Sequence, residues 1–273
     1  MPCPPRAQAV PPPLLPFLLG NLQQVLIMKA VQIEVCAGHI RSALAAQQAG
    51  ADRIELCSAL DSGGLTPSAG LIREAVLSLS IPVHVLIRPR EGDFVYDEDE
   101  LRLMCHDISL CRSLGAAGVV IGALDEQGGL HAPAMQQMAD AAAGLHITCH
   151  RAFDSVPDPA AALEQLIGWG VGRVLSSGQA ATAYEGRFLL KKCVEQAAGR
   201  IAIMAGAGIS PQNIGAVRAE TGVADLHLSG RRRVSPVWAG QRIAGLEWDY
   251  WQSDESVLRE AIAAVKEGNR RAE

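Results

Sequence analysis

From residue 28 onward the chain alternates between two hydrophobic rhythms. Short runs, β-branched and apolar at every second position or continuously, are followed by longer stretches whose apolar positions recur every three or four residues. The short runs are VQIEVC (31–36), RIELC (53–57), VHVLIRPR (83–90), GVVIGAL (118–124), HITCHRAFD (146–154), RVLSSG (173–178), IAIMAGAG (201–208) and DLHLSG (225–230). Between them, IRSALAAQQAG, PSAGLIREAVLSL, EDELRLMCHDISLCRSLG and PQNIGAVRAETG read as amphipathic helices. Gly50 stops the first, and Ser210 with Pro211 starts the last. Eight β/α units at one per roughly 28 residues predict a single-domain α/β fold, a TIM (β/α)8 barrel. An open doubly wound sheet would want a GxGxxG turn after its first strand, and CAGHIR there is not one.

Alternation along a barrel strand sorts side chains between the helix layer and the interior. If Ile33 and Val35 face the helices, Glu34 and Cys36 point inward. Likewise Ile54 and Leu56 point out, with Glu55 and Cys57 inward. The same sorting sends His84, Leu86, Arg88 and Arg90 inward on the third strand, Thr148 and His150 on the fifth, Ser177 on the sixth, and His227 with Ser229 on the eighth. Layers of Val, Ile and Leu are the norm in such interiors, so this one is too polar to be packing alone. It is either a salt-bridged plug or a site. The position of most of these residues late in their strands, where barrel enzymes carry their chemistry, favours a site.

For an enzyme, Glu34 and Glu55 are the candidate proton-transfer groups, with His150 as a second acid or base and Arg88 and Arg90 as anion binders. Asp154 either orients Arg151 or a substrate hydroxyl, or caps its loop. Gly206 and Gly208 in AGAGIS, Ser177 and Gly178 in SSGQ, and Ser229 after the last strand lie near the usual phosphate place of barrels. Tight βα turns also need glycine without any ligand. For a metal, thiolates select Cu(I), and Cys36 and Cys57 on adjacent strands form an inward pair, unless they simply fill volume. Cys149 has the opposite parity, Cys105, Cys111 and Cys193 fall in helical segments, and Cys3 precedes the barrel.

The blocks GADRIELC, SGGLTPS, IRPREGDFVY, CHRAFD, SSGQ and IMAGAG occur in this order, and from about residue 30 to about residue 235 the chain resembles the CutC family, often labelled copper homeostasis proteins. The resemblance implies a TIM-like barrel, a cytoplasmic location and a homo-oligomer, and it singles out Cys36 and Cys57 as copper ligands. The triplet RRR at 231–233 departs from the family pattern; it either strengthens anion binding or is a solvated arginine cluster.

Composition changes this picture only at its edges. A net charge of −5 argues against a nucleic-acid surface, and LLPFLLG near the start is too short to span a membrane. The expected partner is therefore a copper ion or a small anionic ligand, with no nucleic acid and no membrane. Seven cysteines without a CxxC pair indicate reduced thiols in a cytoplasm. Residues 1–27, with six prolines among the first thirteen, read as a disordered extension or a mis-assigned start before Met28. The barrel then occupies 28–273. PREGDFVYDEDE is lid-like, with Phe94 and Tyr96 in an acidic loop. Ser253 caps a closing C-terminal helix, and Trp248, Tyr250 and Trp251 cover the barrel or contact a second subunit.

Overall fold

The structure, a computed structural model, describes residues 31–270 apart from 236, 239, 246 and 247, and the side chains of 266–270 also lie outside it. The expected boundary at 27/28 falls outside the described residues. Eight parallel strands close into a barrel in chain order: β1 Gln32–Ala37, β2 Arg53–Leu56, β3 Val83–Leu86, β4 Gly118–Ile121, β5 His146–Cys149, β6 Arg173–Ser176, β7 Ala202–Ala205 and β8 Asp225–Leu228. The helices are α1 Ile40–Ala49, α2 Ala69–Ser78, α3 Glu98–Ser113, α4 Ala132–Ala141, α5 Pro159–Gly168, α6 Arg187–Ala197, α7 Ile214–Thr221 and α8 Glu255–Arg270.

Local chemistry sets the boundaries. Gly50 ends α1 in the left-handed region at φ 91°, where a side chain is strained. Asp97 and Glu100 form a reciprocal capping box at the start of α3. Two expected helix starts are corrected. Pro211 lies in a turn and α7 begins after Asn213, while α8 is capped by Asp254, whose Oδ1 accepts from the amides of Ser256 and Val257. Ser253 instead ends a strand and donates its amide to Ser42 Oγ.

The strands are shorter than their hydrophobic runs. On β3 the amide of Arg88 goes to Thr66 Oγ1, and Pro89 has no N–H, so the ladder stops before Arg90. On β5 the carbonyl of His150 accepts from Phe153, and the chain turns into a 3-10 segment, Arg151–Ser155. The basic triplet is mostly solvated, with Arg232 and Arg233 exposed and Arg231 half-buried. It lies in β9 Arg231–Val234, antiparallel to β10 Tyr250–Ser253. Trp251 packs there under the guanidinium of Arg231, 4.8 Å from its ring centre.

Strand alternation partitions the core in two. Ile33, Val35, Ile54, Leu56, Val85 and Cys149 belong to the large cluster between sheet and helices. A small separate cluster of Cys36, Cys57, Leu86 and Val120 lies inside the barrel.

Candidate functional site

The interior is stratified along the barrel axis. Its lower layer is ionic. Arg53 donates from Nε to Glu34 Oε2 at 2.6 Å and from a terminal nitrogen to Asp225 Oδ1 at 2.6 Å, and Arg173 Nε reaches the same Asp225 oxygen at 3.0 Å. Arg173 also donates to Thr148 at 3.3 Å. His84 and His146 stack beside this network with ring centres 5.1 Å apart. Gly118 leaves the space for it, since a Cβ there would lie 3.0 Å from the His84 ring. Burial pushes both imidazoles down to about 4, so they are neutral at pH 7.

Above this layer Glu34 makes the connection to the mouth. Its Oε1 lies 2.8 Å from His227 Nδ1, and His227 Nε2 lies 3.7 Å from Glu55 Oε2. Burial alone would raise the Glu34 carboxyl, but the hydrogen bond from His227 and the charge of Arg53 hold it well below the usual carboxylate range. Glu55 is raised by burial and only partly offset by His227. Burial opposes a charged His227, yet the two carboxylates outweigh it and raise its pKa. Adjacent strands explain the grouping: Glu34 is level with His227 across β1 and β8, and Cys36 is level with Glu55 across β1 and β2.

The donor atoms of Cys36, Glu55 and His227 all lie within 4.8 Å of one another. Cys57 Sγ is 3.5 Å from Cys36 Sγ. Its hydrogen bond with Cys57, and then burial, raise the Cys36 thiol well above its ordinary value. A soft pair of sulfurs flanked by an imidazole and a carboxylate is a donor set that copper fits chemically.

Cys36, Glu55 and His227 line a cavity of about 580 Å³ together with Arg88, His150, Arg151, Gly208, Ser229 and Arg231. Arg88 donates to the carbonyls of Ser62, Gly64 and Gly92, so it holds two mouth loops, while its buried Nε has no partner among the described residues. His150 accepts at Nδ1 from the Ala152 amide and is pushed down to about 3, first by burial and then by Arg88. The neutral ring therefore carries its proton on Nε2, which also lacks a partner. Gly122 gives this ring its room, because a Cβ would stand 2.6 Å from it. Phe94, from the acidic loop, packs over both the Arg88 guanidinium, at 5.2 Å, and the His150 ring, at 4.8 Å.

Several sequence-derived candidates lie elsewhere. Arg90 is not inside the barrel. It binds Glu100 at 2.5 Å, Asp93 at 3.1 Å and the Val95 carbonyl, and so shapes the loop from outside. Asp154 and Ser177 are off the cavity wall. The carboxylate accepts from the Ser176 hydroxyl, the Ser177 amide and hydroxyl and the Gln179 amide, and it orients Arg151 at 2.8 Å. Gly178 and Gly206 are also off the wall. A Cβ on Gly178 would collide with the Gly186 carbonyl at 2.1 Å, and one on Gly206 with Leu175 at 2.5 Å. Sequence reasoning omitted Arg53, Arg173 and Asp225, although Glu55, Ser177 and His227 share their parity and would have found them. It named Arg231 only as part of a charge run.

Comparisons with known proteins agree with this architecture. The model of the CutC family matches residues 31–232. A family protein CutC from Pasteurella multocida is 50% identical over 201 residues, covering 74% of this chain and 82% of that one. Its counterpart from Bacteroides thetaiotaomicron is 49% identical over 208 residues, covering 76% and 84%. A crystal structure of a CutC protein from Streptococcus agalactiae superposes with a TM-score of 0.70 at 35% identity, covering 73% of this chain and 98% of that chain.

Proposed function

Because the chain belongs to the CutC family, named for copper homeostasis, we propose that it holds Cu(I) between the thiolates of Cys36 and Cys57. The observation carrying this reading is the 3.5 Å separation of the two sulfurs inside the barrel. Thiolates are the protein ligands that select Cu(I), and the pair sits among Leu86 and Val120, an apolar surround that excludes competing water. Cys36 lies on the cavity wall, so an arriving ion meets it first, and Cys57 stands behind it. A reducing cytoplasm is the compartment in which such a pair stays available. Anaerobic titration of the reduced protein with Cu(I) under a competing chelator tests the reading. One ion per chain is expected, with a loss of at least about 100-fold in affinity in the double variant Cys36→Ser, Cys57→Ser; an unchanged affinity removes it.

The cavity supports a second reading. About 580 Å³ is the size of a small-molecule pocket rather than of a single ion. Arg88, Arg151 and Arg231 on its wall suit a small anionic substrate, phosphorylated ones included, with Ser229 and the backbone at Gly208 beside them. Glu55 and His227 are then the proton-transfer groups, Glu34 positions His227, and the neutral His150 is a hydrogen-bond donor. Capture of cellular metabolites on immobilised protein, identified by mass spectrometry, tests this. An anionic ligand lost in Arg151→Ala supports it, and a set of captured molecules unaltered by that change refutes it.

A further inference from the structure

Cys36, Glu55 and His227 come from three neighbouring strands, β1, β2 and β8 respectively, and their side chains converge inside the barrel with all donor atoms within 4.8 Å. Cys57 is not part of this group. Its sulfur lies behind Cys36 and off the cavity wall. One thiolate, one imidazole and one carboxylate make a borderline donor set, which suits zinc-type dications better than Cu(I). We infer that these three residues form a metal centre that shares Cys36 with the thiol pair but not Cys57, a three-ligand site for a zinc-type divalent cation with its fourth position open to the cavity.

The geometry is close to what such an ion needs. Ligands about 2.0–2.3 Å from a tetrahedral ion stand roughly 3.3–3.8 Å from one another, and His227 Nε2 is 3.7 Å from Glu55 Oε2. The imidazole is already turned for it. Glu34 holds Nδ1 at 2.8 Å, which presents Nε2 toward Glu55 and Cys36; a carboxylate behind the histidine is the usual outer support of a metal-bound imidazole. Glu34 is anchored in turn by Arg53, so the support is rigid. Charge closes as well. The lower layer balances Glu34 and Asp225 against Arg53 and Arg173, and a dication balances the remaining thiolate and the Glu55 carboxylate. All three ligands line the cavity, so the open position faces Arg88, Arg151 and His150, where an anionic ligand would complete the coordination.

The centre shares Cys36 with the copper reading but rests on different partners, and this separates the two in one experiment. Metal-stripped, reduced full-length protein is titrated with Zn2+ under a chromophoric chelator, and with Co2+ as an optical probe whose thiolate charge-transfer band reports Cys36. One ion per chain and a Co2+ thiolate band are expected. His227→Gln and Cys36→Ser should each weaken Zn2+ binding at least 10-fold, and Glu34→Gln by 10- to 100-fold. Cys57→Ser should leave Zn2+ binding within about threefold while removing Cu(I) binding. Thermal melts of each variant establish that it is folded, and if His227→Gln does not fold, the Co2+ band of wild type and Cys57→Ser decides alone. Absence of Zn2+ binding by folded wild type, a Cys57→Ser loss as large as that of Cys36→Ser, or a folded His227→Gln that binds like wild type would overturn the inference.

Discussion

At the bottom of the barrel Arg53 lies between Glu34 and Asp225, and Arg173 closes onto the same Asp225 oxygen. One turn of alternation higher, Glu55 has only His227 as an ionic partner among the described residues, and Arg88 Nε and His150 Nε2 have no partner. Both layers are polar and largely buried, and they are built from the same residue types. They differ in whether the charges are matched within the protein. Buried polar atoms without a partner cost about 1–3 kcal/mol each; among the described residues His84 Nδ1 and His146 Nδ1 carry that cost in the lower layer too, but Arg88 and His150 carry it on the wall of the cavity, where a ligand can meet them. The lower layer is the salt-bridged plug, and on the functional reading proposed above the mouth stacked on it is the site, so the two explanations of one polar interior need not exclude each other.

Deleting a guanidinium from each layer breaks this comparison most directly. Arg53→Met strands Glu34 and Asp225 in the interior, and we expect a loss of about 3–5 kcal/mol in stability, read from denaturant unfolding. Arg151→Ala at the mouth removes a pair whose arginine is half exposed, with an expected loss under about 1 kcal/mol. Equal losses from the two would mean that the lower layer is no more structural than the upper.

Much of this was legible before any coordinates. Eight alternating runs gave the barrel, and period-two sorting placed Glu34, Cys36, Glu55, His150 and His227 in its interior. The failures have physical causes. The sorting holds only while the ladder continues, and Pro89 ends it, so Arg90 leaves the barrel despite having the right parity. Asp154 follows the end of β5, where a 3-10 turn turns its carboxylate onto the Ser177 loop. Glycine is ambiguous in a sequence because close packing and ligand approach use the same absent Cβ. Gly178 and Gly206 serve the first purpose, and Gly208 alone of the three borders the cavity. That Cys36 meets a histidine from the far end of the chain depends on barrel closure between β1 and β8, which no local pattern records.

A finer contrast lies within the mouth, where two histidines respond to pH with opposite sign. His150 is held neutral, with its folded value about 3 against an ordinary 6.5. Between those values the unfolded chain binds the proton and the folded chain does not. Stability therefore falls as pH drops below about 6.5, at up to about 1.4 kcal/mol per pH unit for this one group. His227 is raised by its two carboxylates, so its contribution is fully present below 6.5 and is lost as pH rises through its folded value. Urea unfolding between pH 4.5 and 8 separates them. His150→Asn should flatten the acid side of the stability curve, with the slope left by His84 and His146 remaining, and His227→Gln should flatten the alkaline side. If His150→Asn keeps the full acid slope, its imidazole is not the neutral donor that the Ala152 amide and the Arg88 charge make it.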